Sequence, residues 1–231
     1  MPSLGDTTLA VVPCLNEERT IADVIKGIRQ YLSHILVVDD GSTDRTAPLA
    51  QNAGATVLHH PRPQGKGASL RDGVAYAAEK GFSHALFMDG DGQHDPADIP
   101  QFVAAAHQAD LVAGNRFANP QGMPRIRQWA NRFSSRLLSK HLQRDIPDAQ
   151  CGFRLVRVAA WQSIPWETAG YEIEAEMLVR FFLAGFSVVF VPIRTIYGDE
   201  RSKFHPVHDA LRWWCWWRQT SVRMGKVRQQ R

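Results

Sequence analysis

"HALFMDGDGQHDP", residues 84–96, ends a short apolar run on two aspartates one residue apart and closes on a proline. A run of this length bounded by turn residues reads as a buried strand, which puts the acidic cluster at a strand end. Alternate residues of an extended chain face the same way and a turn draws them together, so Asp89 and Asp91 can converge on one hard cation. A plain surface turn would also use Asp and Gly. A calcium loop of the EF-hand type is excluded. His94 stands at the sixth position from Asp89, where glycine is required, and Pro100 at the twelfth, where glutamate is required.

Outward from this stretch, apolar runs alternate with helical patterns. "TLAVVP" precedes "TIADVIKGIRQYL", "HILVVDD" precedes "DRTAPLAQNAG", "ATVLHH" precedes "GASLRDGVAYAAEKG", and "HALFMDGD" precedes "PADIPQFVAAAHQ" and then "DLVAGNRF". This rhythm predicts an α/β fold, a Rossmann-like, mostly parallel sheet with helices on both faces, because continuously apolar strands need two shielding layers. In such sheets ligands bind beyond the carboxyl ends of the strands, where "NEE", "DDGSTD", "DGDGQHD" and "GNR" all fall. After residue 119 the rhythm gives way to "NPQGMP", a long basic amphipathic stretch "RIRQWANRFSSRLLSKHLQR", a strand-like "CGFRLVRV", a helical "YEIEAEMLVRFFLAG" and a strand "SVVFVPIRTIYG". The expected division is one domain over 1–204, in two halves that meet at about 118–119 and share the sheet, and a basic amphipathic segment over 205–231.

The 231 residues, 44% hydrophobic and 22% charged, suffice for one large core. No basic region followed by a signal-length apolar run opens the chain, and no apolar span approaches 18 residues, so export and bilayer spanning are not expected. Cys14, Cys151 and Cys215 lie far apart without metal-ligand spacing and read as structural thiols of a reducing compartment. The nine histidines show no pair at zinc spacing. Charge is uneven: Arg201, Lys203, Arg212, Arg218, Arg223, Lys226, Arg228 and Arg231 face the single acid Asp209. Nucleic acid, an anionic membrane or a phosphorylated substrate would each match that tail.

"VVDDGSTDRT" supplies a second acidic strand end, where Asp39 and Asp40 can accept from base or ribose groups and Ser42 or Thr43 can cap the next helix. In "PCLNEE", Asn16 reads as a helix cap with Glu17 and Glu18 in the first turn. "QGKGASL" is not a phosphate-binding P-loop, since it lacks the first glycine at Walker-A spacing and Leu70 replaces the third glycine of G-x-G-x-x-G; Lys66 alone remains as a phosphate contact.

Taken in order, "VVPCLNEE", "ILVVDDGSTDRT", "FMDGDGQHDP", "GNRF", "DAQCGFRL" and "GYEIEAEMLVRFFLAGFSVVFVPI" resemble the inverting glycosyltransferases of family 2, with the GT-A fold, and especially the branch acting on dolichol or polyprenyl phosphate. The resemblance runs from about residue 8 to about 210. It implies a nucleotide-diphosphate sugar as donor, held by Pro13, Asn16, Glu17, Asp39 and Asp40, and Mg²⁺ or Mn²⁺ held by Asp89, Asp91 and Gln93. Gly90, Lys66, Arg154, Ser202 and Lys203 complete the implied cofactor-binding set, and Asp91, Arg116, Glu174 and Glu176 the catalytic set. Arg125, Arg127 and Arg132 either meet an acceptor phosphate or form a solvated helix face. A hydroxyl acceptor would need Glu174 or Glu176 as general base, whereas a lipid phosphate, already ionised, would not. The "SK" signature of the lipid-phosphate branch is present, but Tyr197 stands where an arginine is common, leaving Arg194 and Arg201 as substitutes.

A lipid-linked acceptor and the basic tail together suggest a cytoplasmic protein peripheral on the inner face of the membrane. Residues 205–224 are expected to form a docking helix, with Val207, Ala210, Leu211, Trp213, Trp214, Trp217 and Met224 on one arc. The other reading of that arc is burial against the sheet. Non-enzymatic readings are a nucleotide-sugar sensor, which would not need the complete acidic set, and a nucleic-acid binder, for which no recognised motif is present; no nucleic-acid partner is expected.

Overall fold

The computed structural model describes residues 3–118, 120, 122–196, 213–214, 216–218 and 220–221. The chain runs β1 (Thr8–Cys14), α1 (Ile21–Arg29), β2 (His34–Asp39), α2 (Thr46–Asn52), β3 (Thr56–His59), α3 (Lys66–Glu79) and β4 (His84–Phe87). It continues through a 3₁₀ turn, Pro96–Asp98, into α4 (Ile99–Ala105), β5 (Leu111–Asn115), α5 (Arg125–Leu142), β6 (Arg154–Arg157), α6 (Val158–Gln162), α7 (Ile173–Leu183) and β7 (Val188–Pro192).

These strands form one seven-stranded sheet in the order β3-β2-β1-β4-β6-β5-β7. β6 pairs antiparallel with β4 and β5, and the other pairings are parallel. The expectation of a mostly parallel sheet that also carries the second half of the chain is met. From β1 the chain first builds outward through β2 and β3, then returns to add β4 on the other side. That reversal opens a crevice at the carboxyl ends of β1 and β4.

Alternation along each strand supplies two cores. Leu9 and Val11 of β1 and Leu36 and Val38 of β2 face α3, α6 and α7. Ala10, Val12, Ile35 and Val37 face α1 and α4. α1 fits its face because Ile21, Val24, Ile25 and Ile28 recur at helical spacing and are all buried, with Asp23 in its first turn and Lys26 and Arg29 in its last, as the helix dipole favours. The short α6 was not legible in the sequence; it follows β6 directly and buries Val158, Ala160 and Trp161.

Of the two readings of the tryptophan-rich tail, the described residues follow burial. Residues 213–214, 216–218 and 220–221 are helical. Trp217 is buried in the core, edge-on to His141 of α5 at 4.5 Å and stacked on Trp213 at 5.8 Å. Trp213 and Trp216 pack against the same cluster, while Trp214 is exposed. At about 100° per residue, positions 213, 216 and 217 share one face and 214 lies off it. The arc expected to meet a membrane therefore turns Trp213 and Trp217 inward, because those rings cover apolar surface of the domain. Ser202, Lys203 and most of the expected 205–224 helix lie outside the described residues.

Candidate active site

Parallel strands bring their carboxyl ends to one edge, so Cys14, Asp39, Phe87 and Asn115 end side by side. β6 runs the other way, so its first residue, Arg154, pairs with Phe87 at that same edge. The N-termini of α3 and α7 also point there, and they deliver Lys66 and Glu174.

The centre of the site is a buried ammonium between two carboxylates. Lys66 Nζ lies 2.5 Å from Asp89 Oδ1 and 2.7 Å from Glu174 Oε1. Burial alone would lower the lysine pKa, but the charges of Asp89 and Glu174 outweigh it and raise it above the usual lysine range. Asp89 is correspondingly held below the usual carboxylate range: burial opposes this, and Lys66 and then His94 overcome it. His94 Nε2 sits 3.4 Å from Asp89 Oδ2, and its ring packs on Phe153. Glu174 Oε2 and His94 Nδ1 are buried side-chain atoms without a hydrogen-bond partner. Lys66 had been singled out as a phosphate contact; its pairing with Glu174 could not be read from sequence.

Asp91 behaves oppositely. Burial and the neighbouring charge of Asp89 push its carboxyl above the usual range, while its Oδ1 accepts from Gln93 N at 3.0 Å. Two adjacent carboxylates whose ionisation is in conflict suit a divalent cation. Among the described residues no three His, Cys, Asp or Glu side chains form a complete metal cage. The donor set therefore fits an ion that takes some of its ligands from a substrate diphosphate, as Mg²⁺ commonly does. Gly90, between the two aspartates, accepts from Thr20 Oγ1 at 2.7 Å, which ties the loop to the start of α1.

The nucleotide-side residues are organised by hydrogen bonds across loops. Asn16 does not cap α1, which begins at Ile21 after Thr20. Instead Asn16 adopts a left-handed φ of 54°, its Oδ1 accepts from Thr43 N at 2.8 Å, and its own N–H donates to Ser42 Oγ at 2.8 Å. Glu17 N donates to Thr46 Oγ1 at 2.7 Å, and Pro13 lies in β1 beside Val38. Ser42 and Thr43 do not cap α2. Its N-cap is Arg45, which makes no side-chain cap bond, and Asp44 just before it accepts from Thr46 N at 2.9 Å. Asp39 shares its carboxylate between Ser42 N and His59 Nδ1. Asp40 accepts from Gln64 N, Gly65 N and His60, so it holds the loop leading to Lys66. His60, which carried no sequence signal, links Asp40 at 2.7 Å to Asp72 of α3 at 3.0 Å.

Three expected functional residues are engaged with the protein itself. Arg154 is fully buried and donates to the carbonyls of Cys151, Glu174 and Ala149, so it cannot touch a nucleotide; it positions the backbone that carries Glu174. Arg116 forms a two-pronged pair with buried Asp148, Nε to Oδ2 at 2.7 Å and Nη2 to Oδ1 at 2.9 Å, which engages one edge of its planar guanidinium. Glu176 is the third. Its oxygens accept from Glu167 N, Thr168 N, Thr168 Oγ1 and Arg180 Nε, leaving no lone pair directed at an acceptor.

The Glu176 brace acts on the site indirectly. It fixes residues 167–168, whose neighbour Ala169 accepts from Gly67 N at 2.7 Å, while Thr168 accepts from Arg71. Gly65, with φ of 97°, lets this segment press on the first turn of α3, because a Cβ there would collide with Ala169 O. Glu176, Thr168 and Ala169 thus form a continuous support under Lys66.

Comparison with known proteins agrees with this geometry. The family model described as Glycosyl transferase family 2 matches residues 9–164. Glycosyltransferase AglJ of Haloferax volcanii is 32% identical over 191 residues, covering 81% of this chain but 62% of that protein, less than two thirds of its length. Polyprenol monophosphomannose synthase of Mycolicibacterium smegmatis is 31% identical over 206 residues, covering 80% of this chain and 76% of that one. Among solved structures, glucosyl-3-phosphoglycerate synthase of Mycobacterium tuberculosis, in complex with Mn²⁺, UDP-glucose and phosphoglyceric acid, superposes with a TM-score of 0.66 at 25% identity, covering 89% of this chain and 75% of that one. With a carboxylate pair just past β4, a fold that superposes on a solved glycosyltransferase and a family match over most of its length, the chain belongs to glycosyl transferase family 2.

Proposed function

We propose that the chain is an inverting, metal-dependent glycosyltransferase that moves a hexose from a UDP- or GDP-linked sugar to a lipid-linked acceptor, polyprenyl phosphate above all. The observation that carries this reading is the Asp89–Asp91 pair at the β4 end, backed by Lys66 and Glu174, in a chain related to a polyprenol monophosphomannose synthase. A solved relative holds Mn²⁺ and UDP-glucose, which supports the same donor chemistry here. Asp89, Asp91 and Gln93 would hold Mg²⁺ or Mn²⁺, which supplies neutralisation of the charge developing on the leaving diphosphate. The loop around Asn16 and Glu17, with Asp39, would orient the nucleoside over residues to about 118, and the acceptor would approach from the later half.

In the reaction, an oxygen of the acceptor phosphate forms a bond to the anomeric carbon. The bond from that carbon to the nucleoside diphosphate breaks on the opposite side, and its electron pair leaves with the diphosphate. Since a lipid phosphate is ionised at neutral pH, no strong base is required, consistent with the full use of Glu176 as a brace. Among the described residues no helix is long and apolar enough to cross a membrane. The proposed action on a membrane lipid is that of a peripheral protein, at the inner, cytoplasmic face where nucleotide sugars are the donors.

A second reading, transfer to a hydroxyl, is favoured by one observation: Glu174 Oε2 is buried without a hydrogen-bond partner, so Glu174 remains as a base where Glu176 does not. Incubating the full chain with labelled UDP-glucose or GDP-mannose, Mn²⁺, and either polyprenyl phosphate or a hydroxyl acceptor separates the two. Label in polyprenyl phosphate sugar is the expected result. Label only in the hydroxyl product selects the second reading, and no metal-dependent transfer to either acceptor overturns both.

A further inference from the structure

Helix α5 buries two serines beside its leucines while exposing larger apolar side chains. Its buried side presents Ser134, Ser135 and Leu138, while Ile126, Trp129 and Phe133 are exposed at 81%, 71% and 47%. The serines are accommodated because Ser135 Oγ accepts from Ala149 N at 2.9 Å and Ser134 Oγ donates to Asn131 O at 2.9 Å. At about 100° per residue, Ile126, Trp129 and Phe133 fall within an arc of roughly 60°. The same exposed side carries Arg132, Arg136 and Lys140, and α5 contains no acidic residue.

The aromatic part of this face is built, not scattered. Trp129 and Phe133 stack with ring centroids 5.9 Å apart, and Arg132 lies over the Phe117 ring at 5.1 Å. Gln128, Trp129, Arg132, Phe133 and Arg136 line an open depression of about 480 Å³. Phe117 directly follows Arg116, so the face borders the strand-end site.

We propose that this exposed face of α5 docks the protein on an anionic lipid bilayer. Large apolar rings flanked by arginine and lysine fit the headgroup boundary, where rings sink among acyl chains and cations meet lipid phosphates. A second copy of this chain fits poorly, because a two-fold contact through this face would oppose Arg132, Arg136 and Lys140 with the same cations. The contact surface is thus moved from the tail helix, whose Trp213 and Trp217 face the core, to α5.

Docking and sugar transfer are separable, and the test reads only the former. The full chain is cosedimented with vesicles of phosphatidylcholine alone and with vesicles containing phosphatidylglycerol at about 30%, at low and high salt, while UDP binding is followed in solution by calorimetry. The expected result is sedimentation with the anionic vesicles only, weakened by salt. Trp129→Ser with Phe133→Ser should abolish it with UDP binding and melting temperature retained. Arg132→Gln and Arg136→Gln should each lower partitioning about fivefold. Trp214→Ser should change nothing. The proposal is overturned if the intact chain stays in the supernatant, if the Trp214 variant alone loses binding, or if the Trp129/Phe133 variant instead converts a dimer to a monomer. Absent UDP binding beside intact vesicle binding would strike the transfer reading and leave the docking surface standing.

Discussion

Lys66 Nζ is shared between Asp89 Oδ1 at 2.5 Å and Glu174 Oε1 at 2.7 Å, so a single buried ammonium joins the start of α3, the end of β4 and the first turn of α7. Three elements distant in sequence thereby acquire one electrostatic centre. Removing the ammonium leaves two carboxylates buried against each other, and breaking a buried pair in this way costs about 3–5 kcal/mol. Lys66→Met should lower stability by that order in chemical denaturation and abolish UDP binding. A melting temperature equal to that of the unaltered protein would show that the pair contributes nothing.

Asp91 gives a prediction of opposite sign. Its folded pKa is raised above the ordinary 3.8, so the folded protein holds the proton more tightly than the unfolded chain. Stability from this group is present at low pH and is lost as pH rises from the unfolded value through the folded one. Asp91→Asn cannot ionise, so above that window it should melt at a higher temperature than the unaltered protein. It should also lose the further stabilisation that Mn²⁺ and UDP confer by mass action. A melt at pH 7 with and without both ligands checks the two halves; ligand-induced stabilisation that survives in the variant removes Asp91 from the metal set.

Glu176 and Arg116 can be ranked. Glu176→Gln keeps one acceptor oxygen, enough for Thr168 N and Oγ1, but turns an NH2 towards the Glu167 N–H and Arg180 Nε donors, so a stability loss of about 1–3 kcal/mol is expected, with activity falling less than in Arg116→Ala. Arg116→Ala strands Asp148, whose carboxyl is held below the usual range, against the cost of burial, by that guanidinium. Its loss should be about 3–5 kcal/mol and should be largely relieved by adding Asp148→Ala. Turnover lower by about 10²- to 10⁴-fold in a well-folded Glu176→Gln protein would restore Glu176 as a base.

The strand-helix rhythm was legible because apolar strands and helical spacing are local properties. So was the acidic edge, since strand ends and turns share a short window. The roles of Arg154, Arg116, Glu176 and Asp40 were not legible. Each depends on a partner brought in by the sheet: the carbonyls of 149–151, Asp148, the 167–168 segment and the Gln64–Gly65 amides. A charged residue in a family motif can bind a ligand or hold the loop that does, and the sequence gives the same letters for both. The inward faces of the tail and of α5 were not legible for a related reason. Both are amphipathic, and only the packing of Trp217 on His141 and the burial of Ser134 and Ser135 tell which face is inside.

Gly152 offers the sharpest test of the centre. It carries no functional group, yet a Cβ built on it would lie 2.5 Å from Asp89 Oδ2 and 2.7 Å from Lys66 Nζ. Its backbone is not in the left-handed region, so alanine is tolerated by the chain itself and the strain falls on the two side chains. Lys66 and Asp89 are enclosed on the other side by Glu174 and His94, so they cannot both retreat without breaking the shared ion pair. Gly152→Ala should therefore keep its secondary structure while Mn²⁺ and UDP binding weaken by at least about tenfold, the equivalent of about 1.4 kcal/mol. Gly5→Ala, whose Cβ would meet nothing closer than 3.6 Å, should leave binding unchanged. Titration calorimetry on both variants decides the matter: equal affinities would mean that Asp89 and Lys66 are not where the donor's metal and phosphates are held.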